Sequence, residues 1–321
     1  MNNEVPAISI IVPAYRTEDV IGETLASIFR QTLTDFEVIV VSNEGYAAEE
    51  EMTRALGPWM GRITRVRQKV PGLANARNAG LEYCRAPLVA FLDSDDIWEP
   101  DYLSVQVGFL NTHPGVDVVY CNAVFFGFAP MAGRTFMQSF PSNGPVTFLN
   151  LLTKRTCVFV SVTARLDIIK RVGMFDGSLA GAEDLDLWLR IARAGGNIAW
   201  HDKVLVRYRV RPGSLSNDPE IMCDHLLALF RKVESSELSP EERQCLGGLI
   251  ARSNAERTFW RGKRALYRAE FSEARRLIRE SNRFFQRRKW YLVSFLLRVA
   301  PRPLLFWVHR RYPNEHAFMH S

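Results

Sequence analysis

An apolar run followed directly by acidic residues is the feature of this sequence best suited to chemistry. The run Leu88–Leu92 has the length of a buried strand, and Asp93, Asp95 and Asp96 follow it within four residues. Carboxylates crowded in this way repel one another unless a hard cation such as Mg²⁺ or Mn²⁺ binds among them. A second explanation is that one Asp caps a helix starting near Pro100 while the others are solvated. The spacing therefore predicts a metal site, with a helix cap as the alternative.

A second acidic pair, Glu183 and Asp184, comes before an apolar pattern of helical period. The apolar positions, at i, i+3, i+4 and i+7, are Leu185, Trp188, Leu189 and Ala192. They predict an amphipathic helix with the two carboxylates at its N-terminal edge. Carboxylates there satisfy free backbone N–H groups and the helix dipole, so the pair alone does not indicate catalysis.

The elements that must position these residues alternate between strand and helix. Strands are predicted at Ile8–Val12, Phe36–Val41, Ile63–Val66, Leu88–Leu92, Val116–Tyr120 and Lys203–Arg209. Helices are predicted after the first strand, between Pro71 and Leu88, and over Leu103–Leu110. This alternation favours an α/β fold with a mostly parallel sheet, which binds ligands at the carboxyl ends of its strands. Residues 125–170, rich in Gly and Pro, are predicted to be loop and short strand and to form an acceptor-binding wall.

Composition limits the possible classes of protein. The chain has 321 residues, of which 47% are hydrophobic, enough for a large core. Its five cysteines are widely spaced, so a disulfide framework and a thiolate metal site are both disfavoured. The first residues carry no basic flank or apolar signal segment, and we therefore expect a cytoplasmic protein.

The C-terminal third differs from the rest of the chain in charge and composition. From Glu220 onward there are 20 Lys and Arg against 11 Asp and Glu, within a net charge of +6. We predict a domain of residues 1–217 followed by a helical basic region, residues 218–321. Basic and aromatic residues interleave over 283–312, which favours peripheral contact with an anionic membrane. The alternative is a helical cap that buries these aromatics against the first domain.

Four motifs in a set order carry a resemblance to a known family. They are Val12–Tyr15, Gly72–Gly80, Phe91–Pro100 and Glu183–Asp184. Together they resemble the GT-A-fold glycosyltransferases of family 2, which are inverting enzymes that use nucleotide-diphosphate sugars. The resemblance runs from about Ile8 to Ser216 and implies a GT-A fold, which is Rossmann-like.

The resemblance also implies roles for individual residues. Asp184 would be the catalytic base, and Asp95 with Asp93 would bind Mg²⁺ or Mn²⁺. The residues implied to bind the nucleotide sugar are Pro13, Ala14, Tyr15, Asn43, Arg77, Asn78, Asp93, Ser94 and Arg211. Those implied to support the site or the acceptor are Glu183, Asp96 and Trp98.

Two positions depart from the family pattern. Many relatives end the second strand with paired Asp residues, one of which binds the base, whereas this chain has Asn43 between Ser42 and Glu44. The amide accepts a hydrogen bond without charge, which weakens the expectation of a uridine nucleotide. Relatives often have His where this chain has Arg211, and Arg cannot ligate a cation but could clamp phosphate oxygens. We therefore expect a weaker dependence on metal.

The predicted function is transfer of a sugar from a nucleotide-diphosphate sugar to a lipid-linked or polysaccharide acceptor, at the inner face of the cell membrane. The first alternative is a non-catalytic nucleotide-sugar or glycan binding module on the same fold. The second alternative is a nucleotidyltransferase that contacts nucleic acid. It is disfavoured because the sequence contains no Gly-rich phosphate loop with Lys. Aliphatic clusters in the tail suit lipid better than bases, so no nucleic-acid partner is expected.

Overall fold

The chain divides into two compact units, Met1–Val210 and Arg211–Ser321. The computed structural model describes residues 5–43, 49–127, 131–159, 161–211 and 218–311. The domain boundary predicted at Asn217 lies outside the described residues, so it stays a prediction.

The first unit is built on one eight-stranded sheet. Its strands are β1 (Ile8–Ala14), β2 (Phe36–Asn43), β3 (Thr64–Gln68), β4 (Leu88–Phe91), β5 (Ile97–Trp98), β6 (Val118–Gly127), β7 (Val162–Arg165) and β8 (Ile198–Val210). They lie in the order β3-β2-β1-β4-β7-β6-β8-β5. The pairs among β3, β2, β1 and β4 are parallel, as is β6 with β8. The predicted α/β class with a mostly parallel sheet is confirmed.

Eight α-helices connect these strands in the described part of the first unit. They are α1 (Ile21–Ile28), α2 (Glu49–Leu56), α3 (Leu73–Tyr83), α4 (Tyr102–Thr112), α5 (Phe136–Ser139), α6 (Phe148–Leu152), α7 (Leu166–Arg171) and α8 (Glu183–Arg193). A short 3₁₀ turn, Gly57–Trp59, follows α2. The amphipathic helix predicted from the spacing after Asp184 is α8.

The direction of the chain reverses across the sheet between β1 and β4. From β1 the chain runs outward to β2 and β3, then returns to form β4 on the other side of β1. This reversal is a topological switch point, where a crevice opens at the carboxyl ends of the strands. The residues after β1 and β4 and at the end of β2 therefore share one edge of the sheet.

The segment between β6 and α8 differs from its prediction. Residues 125–170 are expected to be loop and short strand; β7 is such a strand, but the segment also contains α5, α6 and most of α7. β7 pairs antiparallel with both β4 and β6. Its four residues are too few for period-two alternation to be read from sequence, because its place depends on partners distant in the chain.

Close packing of α3 on β1 depends on a glycine. A Cβ added at Gly80 would lie 2.6 Å from Cγ2 of Ile11, a fully buried residue of β1. The Cγ2 methyl group of Ile11 cannot move away from the added Cβ without disturbing the core. We therefore expect Gly80→Ala to lower the free energy of unfolding by about 1–3 kcal/mol.

Gly22 in α1 is the matched control, since nothing lies within 4 Å of an added Cβ there. Gly22→Ala should stabilise the protein by about 0.5–1 kcal/mol through helix propensity. Urea denaturation of both variants measures the difference. Equal stability of the two variants would show that α3 can move away from β1 at little cost.

The described part of the second unit consists of helices joined by short turns. Its helices are α9 (Pro219–Glu234), α10 (Pro240–Tyr267), α11 (Phe271–Phe285), α12 (Arg288–Val299) and α13 (Pro301–Arg311). Each packs against the next along the chain. Side chains of Ser239 and Glu242 form a capping box at the start of α10, and Asp218 caps α9. The core of this unit includes Leu266, Ala274 and Ile278. The helical C-terminal region is confirmed.

Candidate active site

The acidic residues after β4 form a tight turn held by α1. The N–H of Asp96 donates to the carbonyl oxygen of Asp93 at 3.0 Å. Oγ1 of Thr24 lies 2.9 Å from the carbonyl oxygen of Ser94 and 2.8 Å from that of Asp96. Oγ1 of Thr17 donates to Oγ of the buried Ser94 at 2.8 Å. Ser94 and Asp96 thus fix the turn from within, while Asp93 and Asp95 are half-buried at its surface.

Removal of the Thr24 hydroxyl tests how strongly α1 holds this turn. Thr24→Val keeps the shape of a fully buried side chain but leaves two buried carbonyl groups without their donor. We expect the free energy of unfolding to fall by about 1–3 kcal/mol. Thr112→Val is the control, because Oγ1 of the exposed Thr112 contacts two helix carbonyls at 2.9 and 3.1 Å that water can reach. Thermal denaturation in which both variants lost equal stability would contradict this role.

Asp96 is tied to β8 through Arg209. Its Oδ1 accepts a hydrogen bond from the backbone N–H of Arg209 at 2.8 Å, and Nε of Arg209 donates to the carbonyl oxygen of Asp95 at 2.7 Å. Burial, together with the charges of Asp95 and Asp93, raises the pKa of Asp96 well above its ordinary value, and Arg209 only partly opposes this. These bonds give Asp96 the supporting position expected for it, although its role in the site stays a prediction.

A buried arginine joins the acidic turn to the start of α8. Arg77 of α3 is 1% exposed. Its Nη2 donates to Oδ1 of Asp93 at 2.9 Å, and its Nη1 donates to Oε1 of Glu183 at 2.6 Å. Burial disfavours the charged guanidinium, but Asp93, Glu183 and Asp184 outweigh that effect and raise the pKa of Arg77 further. An arginine on a helix is usually solvated, whereas Arg77 is buried.

Asp184 lies beside this buried ion-pair cluster. Its Oδ1 accepts a hydrogen bond from the N–H of Leu185 at 2.7 Å. Burial first, and the charge of Glu183 next, raise the pKa of Asp184 to about 7, while Arg77 acts in the opposite direction. A carboxylate with this pKa can take up a proton near neutral pH.

The loop before α8 is held by two polar side chains. Arg190 pairs with Asp186 at 2.7 Å and donates to the carbonyl oxygens of Val172 and Met174. Asn78, predicted to bind the nucleotide, exchanges hydrogen bonds with the backbone of Phe175 at 2.8 and 2.9 Å. The observed contacts of Asn78 are therefore structural, and its contact with nucleotide stays a prediction.

The residues predicted to bind the nucleotide line the neighbouring strand ends. Pro13 and Ala14 are buried at the end of β1, and Tyr15, 50% exposed, follows them. Asn43 ends β2, where its Oδ1 accepts a hydrogen bond from Nε2 of Gln68. Oε1 of Gln68 is buried and has no hydrogen-bond partner in the described part of the chain. The structure thus places an unsatisfied, buried acceptor beside Asn43.

Two further predicted site residues are Trp98, which is buried, and Arg211, which belongs to the second unit. Trp98 is 2% exposed, stacks on Tyr102 at 4.0 Å and donates from Nε1 to Oγ of Ser161 at 2.9 Å. These contacts are typical of a core residue, while contact with an acceptor stays a prediction. Arg211 is the first residue of the second unit, and its contact with phosphate is likewise untested.

The donor set at the acidic turn fits a hard cation bound in part by substrate. Among the described residues, no group of three or more His, Cys, Asp or Glu side chains is arranged to hold a metal ion. Mg²⁺ and Mn²⁺ sites of nucleotide enzymes commonly use one or two carboxylates and complete their coordination with phosphate oxygens. Asp93 and Asp95 offer such oxygens, although Arg77 already occupies Oδ1 of Asp93.

Three residues with clear positions in the site were not predicted from the sequence. The predicted strand Lys203–Arg209 includes Arg209 without a role in the site, the helix predicted after the first strand includes Thr24, and Gln68 lies just beyond the predicted strand Ile63–Val66. A polar residue among the apolar positions of α1 was an available signal for Thr24. For Arg209 and Gln68 the sequence offers no local signal, because their partners lie in other strands and turns.

Comparisons with known proteins place this chain among glycosyltransferases. The family model described as glycosyl transferase family group 2 matches residues 88–320, and that described as glycosyl transferase family 2 matches residues 9–166.

Two relatives illustrate how far the similarity in sequence extends. The succinoglycan biosynthesis protein ExoW of Rhizobium meliloti is 41% identical over 100 residues, which are 30% of this chain and 31% of that protein. The match therefore spans about a third of the length of ExoW. The Escherichia coli enzyme WfgD, a UDP-Glc:alpha-D-GlcNAc-diphosphoundecaprenol beta-1,3-glucosyltransferase, is 26% identical over 66% of this chain and 80% of its own.

The fold is also found among solved structures. The mannosyltransferase PcManGT of Pyrobaculum calidifontis, in complex with GDP-Man and Mn²⁺, superimposes with a TM-score of 0.60. The superposition covers 95% of this chain and 88% of that one at 20% identity. This similarity confirms the predicted GT-A fold.

Proposed function

The chain belongs to glycosyl transferase family 2, and from this premise we propose that it transfers a sugar, with inversion, from a nucleotide-diphosphate sugar to an acceptor hydroxyl. The observation that carries the proposal is the ion-pair cluster in which Arg77 joins Asp93 to Glu183. It joins an acidic turn, suited to a divalent cation that would bind the diphosphate, to a carboxylate with a pKa of about 7. These are the two parts that a single displacement requires.

Direct displacement requires a base on the acceptor side of the sugar. Asp184 takes the proton from the acceptor hydroxyl as that oxygen attacks the anomeric carbon, while the bond to the diphosphate breaks. Oδ1 of Asp184 already accepts the N–H of Leu185, so the proton goes to Oδ2. The raised pKa suits this task, since a base works best when its pKa lies near the working pH.

The acidic turn binds the donor. Asp95 and Asp93 would hold a divalent cation, and the use of a cation is supported by PcManGT, whose structure contains Mn²⁺ and GDP-Man. When bound, such a cation neutralises the charge that develops on the departing diphosphate. Asp96 and Ser94 keep the turn in place through Arg209, Thr24 and Thr17.

The nucleoside part of the donor lies against the ends of β1 and β2. Pro13, Ala14 and Tyr15 line the ribose and base. The side chain of Asn43, which is hydrogen-bonded to Gln68, is the acceptor for a base N–H, because its carbonyl oxygen has a second lone pair. Neither side chain is charged, so this pair does not favour one nucleobase over another by charge.

The acceptor is a lipid-linked or polysaccharide glycan. This part of the proposal is supported by the relatives, since WfgD is named for a diphosphoundecaprenol-linked acceptor and ExoW for succinoglycan biosynthesis. A lipid-linked acceptor places the reaction at a membrane surface, and we propose peripheral association with the inner face of the cell membrane.

The purified chain tests this function when it is incubated with a panel of nucleotide-diphosphate sugars, an undecaprenyl-diphosphate-linked sugar acceptor, and Mg²⁺ or Mn²⁺. Proton NMR of the product reports the anomeric configuration, and we expect it to be opposite to that of the donor. A product with retained configuration would contradict the roles given to Asp184. Donor binding with neither transfer nor hydrolysis would favour the alternative, a nucleotide-sugar binding module on the same fold.

A further inference from the structure

The outward side of α12 is apolar although it is exposed. Its exposed apolar side chains, between 57% and 59% accessible, are Tyr291, Leu292, Phe295 and Val299. Their spacing of one, three and four residues places them on one side of the helix. Ser294 and Leu297, buried in the second unit, lie on the other side. A helix that is apolar on two sides is expected to be covered on both, so the outward side lacks its cover in the described structure.

The next helix repeats the pattern with basic residues added. α13 buries Leu304 and Val308 and exposes Phe306 at 69% and Trp307 at 56%. The exposed basic residues of α13 are Arg302, Arg310 and Arg311. Aromatic side chains among arginines are typical of helices that lie at the boundary between lipid headgroups and acyl chains.

The charge of this region has one sign. Between Glu280 and Glu315 the sequence contains no carboxylate side chain. The basic residues over the same stretch are Arg283, Arg287, Arg288, Lys289, Arg298, Arg302, Arg310 and Arg311. A surface of this kind is attracted to anionic lipid headgroups and repels a second copy of itself.

We propose that the outward sides of α12 and α13 bind the surface of an anionic membrane. We call this surface the α12–α13 face, and its apolar members are Tyr291, Leu292, Phe295, Val299, Phe306 and Trp307. The helices lie in the plane of the interface, since none in the described ranges is long and apolar enough to span a bilayer. The proposal rests on the proposed function for its membrane setting and adds the surface that makes the contact.

An open cleft beside α13 has the mixed chemistry of a lipid headgroup region. It has a volume of about 470 Å³, and Phe271, Leu305 and Phe306 supply apolar walls. Arg302 and His309 also line it. A basic side chain above apolar walls fits a phosphate attached to an acyl chain, which favours lipid over a protein partner as the occupant.

Flotation of the full chain with vesicles tests the face without any sugar donor. One set of vesicles contains phosphatidylcholine alone, and the other also contains phosphatidylglycerol. We expect binding to the second set only, weakened by added salt. Arg302→Gln with Arg310→Gln should weaken that binding about 30-fold, and Phe295→Ser with Phe306→Ser at least about tenfold.

Matched control pairs separate the face from charge and apolarity in general. Arg231→Gln with Arg243→Gln removes two exposed arginines from α9 and α10, and Tyr83→Ser with Phe140→Ser removes two exposed aromatics from the first unit. Both control pairs should bind vesicles as the wild type does. Absence of wild-type binding, or equal losses in the control pairs, would overturn the proposal.

Two further readouts complete the test. If the Phe295 and Phe306 substitutions abolish self-association in size-exclusion chromatography and leave vesicle binding unchanged, the face joins two copies and the proposal is wrong. Transfer to a water-soluble acceptor is measured separately and should persist in every variant of the face. Loss of vesicle binding alone therefore concerns the face, and loss of transfer alone concerns the proposed function.

Discussion

Replacing Asp184 by asparagine is expected to lower the turnover number for sugar transfer by about 10²- to 10⁴-fold, the range that general-base catalysis contributes. Asparagine keeps the shape of the side chain, and its Oδ1 can still accept the N–H of Leu185. It cannot take up the acceptor proton. We therefore expect unchanged donor binding and an unchanged melting temperature within a few degrees, with nearly all of the loss in turnover.

The pH dependence of the wild type follows from the same carboxylate. The base acts when it is ionised, and the pKa of Asp184 is raised to about 7. Turnover should fall about tenfold for each pH unit below that value and level off above it. The asparagine variant has no such group, so its residual rate should lack this acidic limb. A wild-type rate that stays constant from about pH 5 to about pH 8 would be inconsistent with this role.

Asp167 provides the control for a purely structural role of a carboxylate at a helix start. It lies in the first turn of α7, as Asp184 lies in the first turn of α8, and it is exposed. If Asp184 only interacted with the helix dipole, Asp184→Asn and Asp167→Asn would each cost a small and similar amount of stability and leave turnover intact. Equal turnover in the two variants would exclude Asp184 as the base.

The sequence predicts the elements whose pattern is local. Buried parallel strands are continuous apolar runs, so β1, β2 and β4 were predicted at nearly their observed positions. The 3.6-residue period predicted α8, and a change in composition predicted the helices of the second unit. The order of four motifs then indicated the family, which the family models confirm.

Other features depend on partners distant in the sequence. β7 is four residues long and lies between β4 and β6, so its identity as a strand comes from pairing and not from its own pattern. Arg77 and Glu183 are 106 positions apart, and only the fold shows that they form an ion pair. From the sequence, only the family resemblance predicted that Asp184 belongs to the site. Its burial beside the charged Glu183 now gives a physical cause for its raised pKa.

Replacing Arg77 by methionine is expected to lower the free energy of unfolding by about 3–5 kcal/mol, the cost of leaving buried charges without their partner. Methionine retains most of the apolar volume but leaves Asp93 and Glu183 without a cation. Arg85→Met is the matched control, since it breaks an ion pair with Glu37 in which the arginine side chain is 58% exposed. That control should cost at most about 1 kcal/mol. Chemical denaturation measures both changes.

A second substitution distinguishes loss of charge balance from loss of packing. In Arg77→Met with Glu183→Gln, one of the two uncompensated carboxylates becomes neutral, so part of the lost stability should return. If lost packing alone caused the destabilisation, Glu183→Gln would lower the free energy of unfolding further.

Turnover gives an independent measure of the same cluster. The charge of Arg77 lowers the pKa of Asp184, whereas that of Glu183 raises it. The acidic limb of turnover should therefore move to higher pH in Arg77→Met and back toward the wild-type position in the double variant. An acidic limb that stays in place in both variants would mean that this cluster supports the fold without tuning the base.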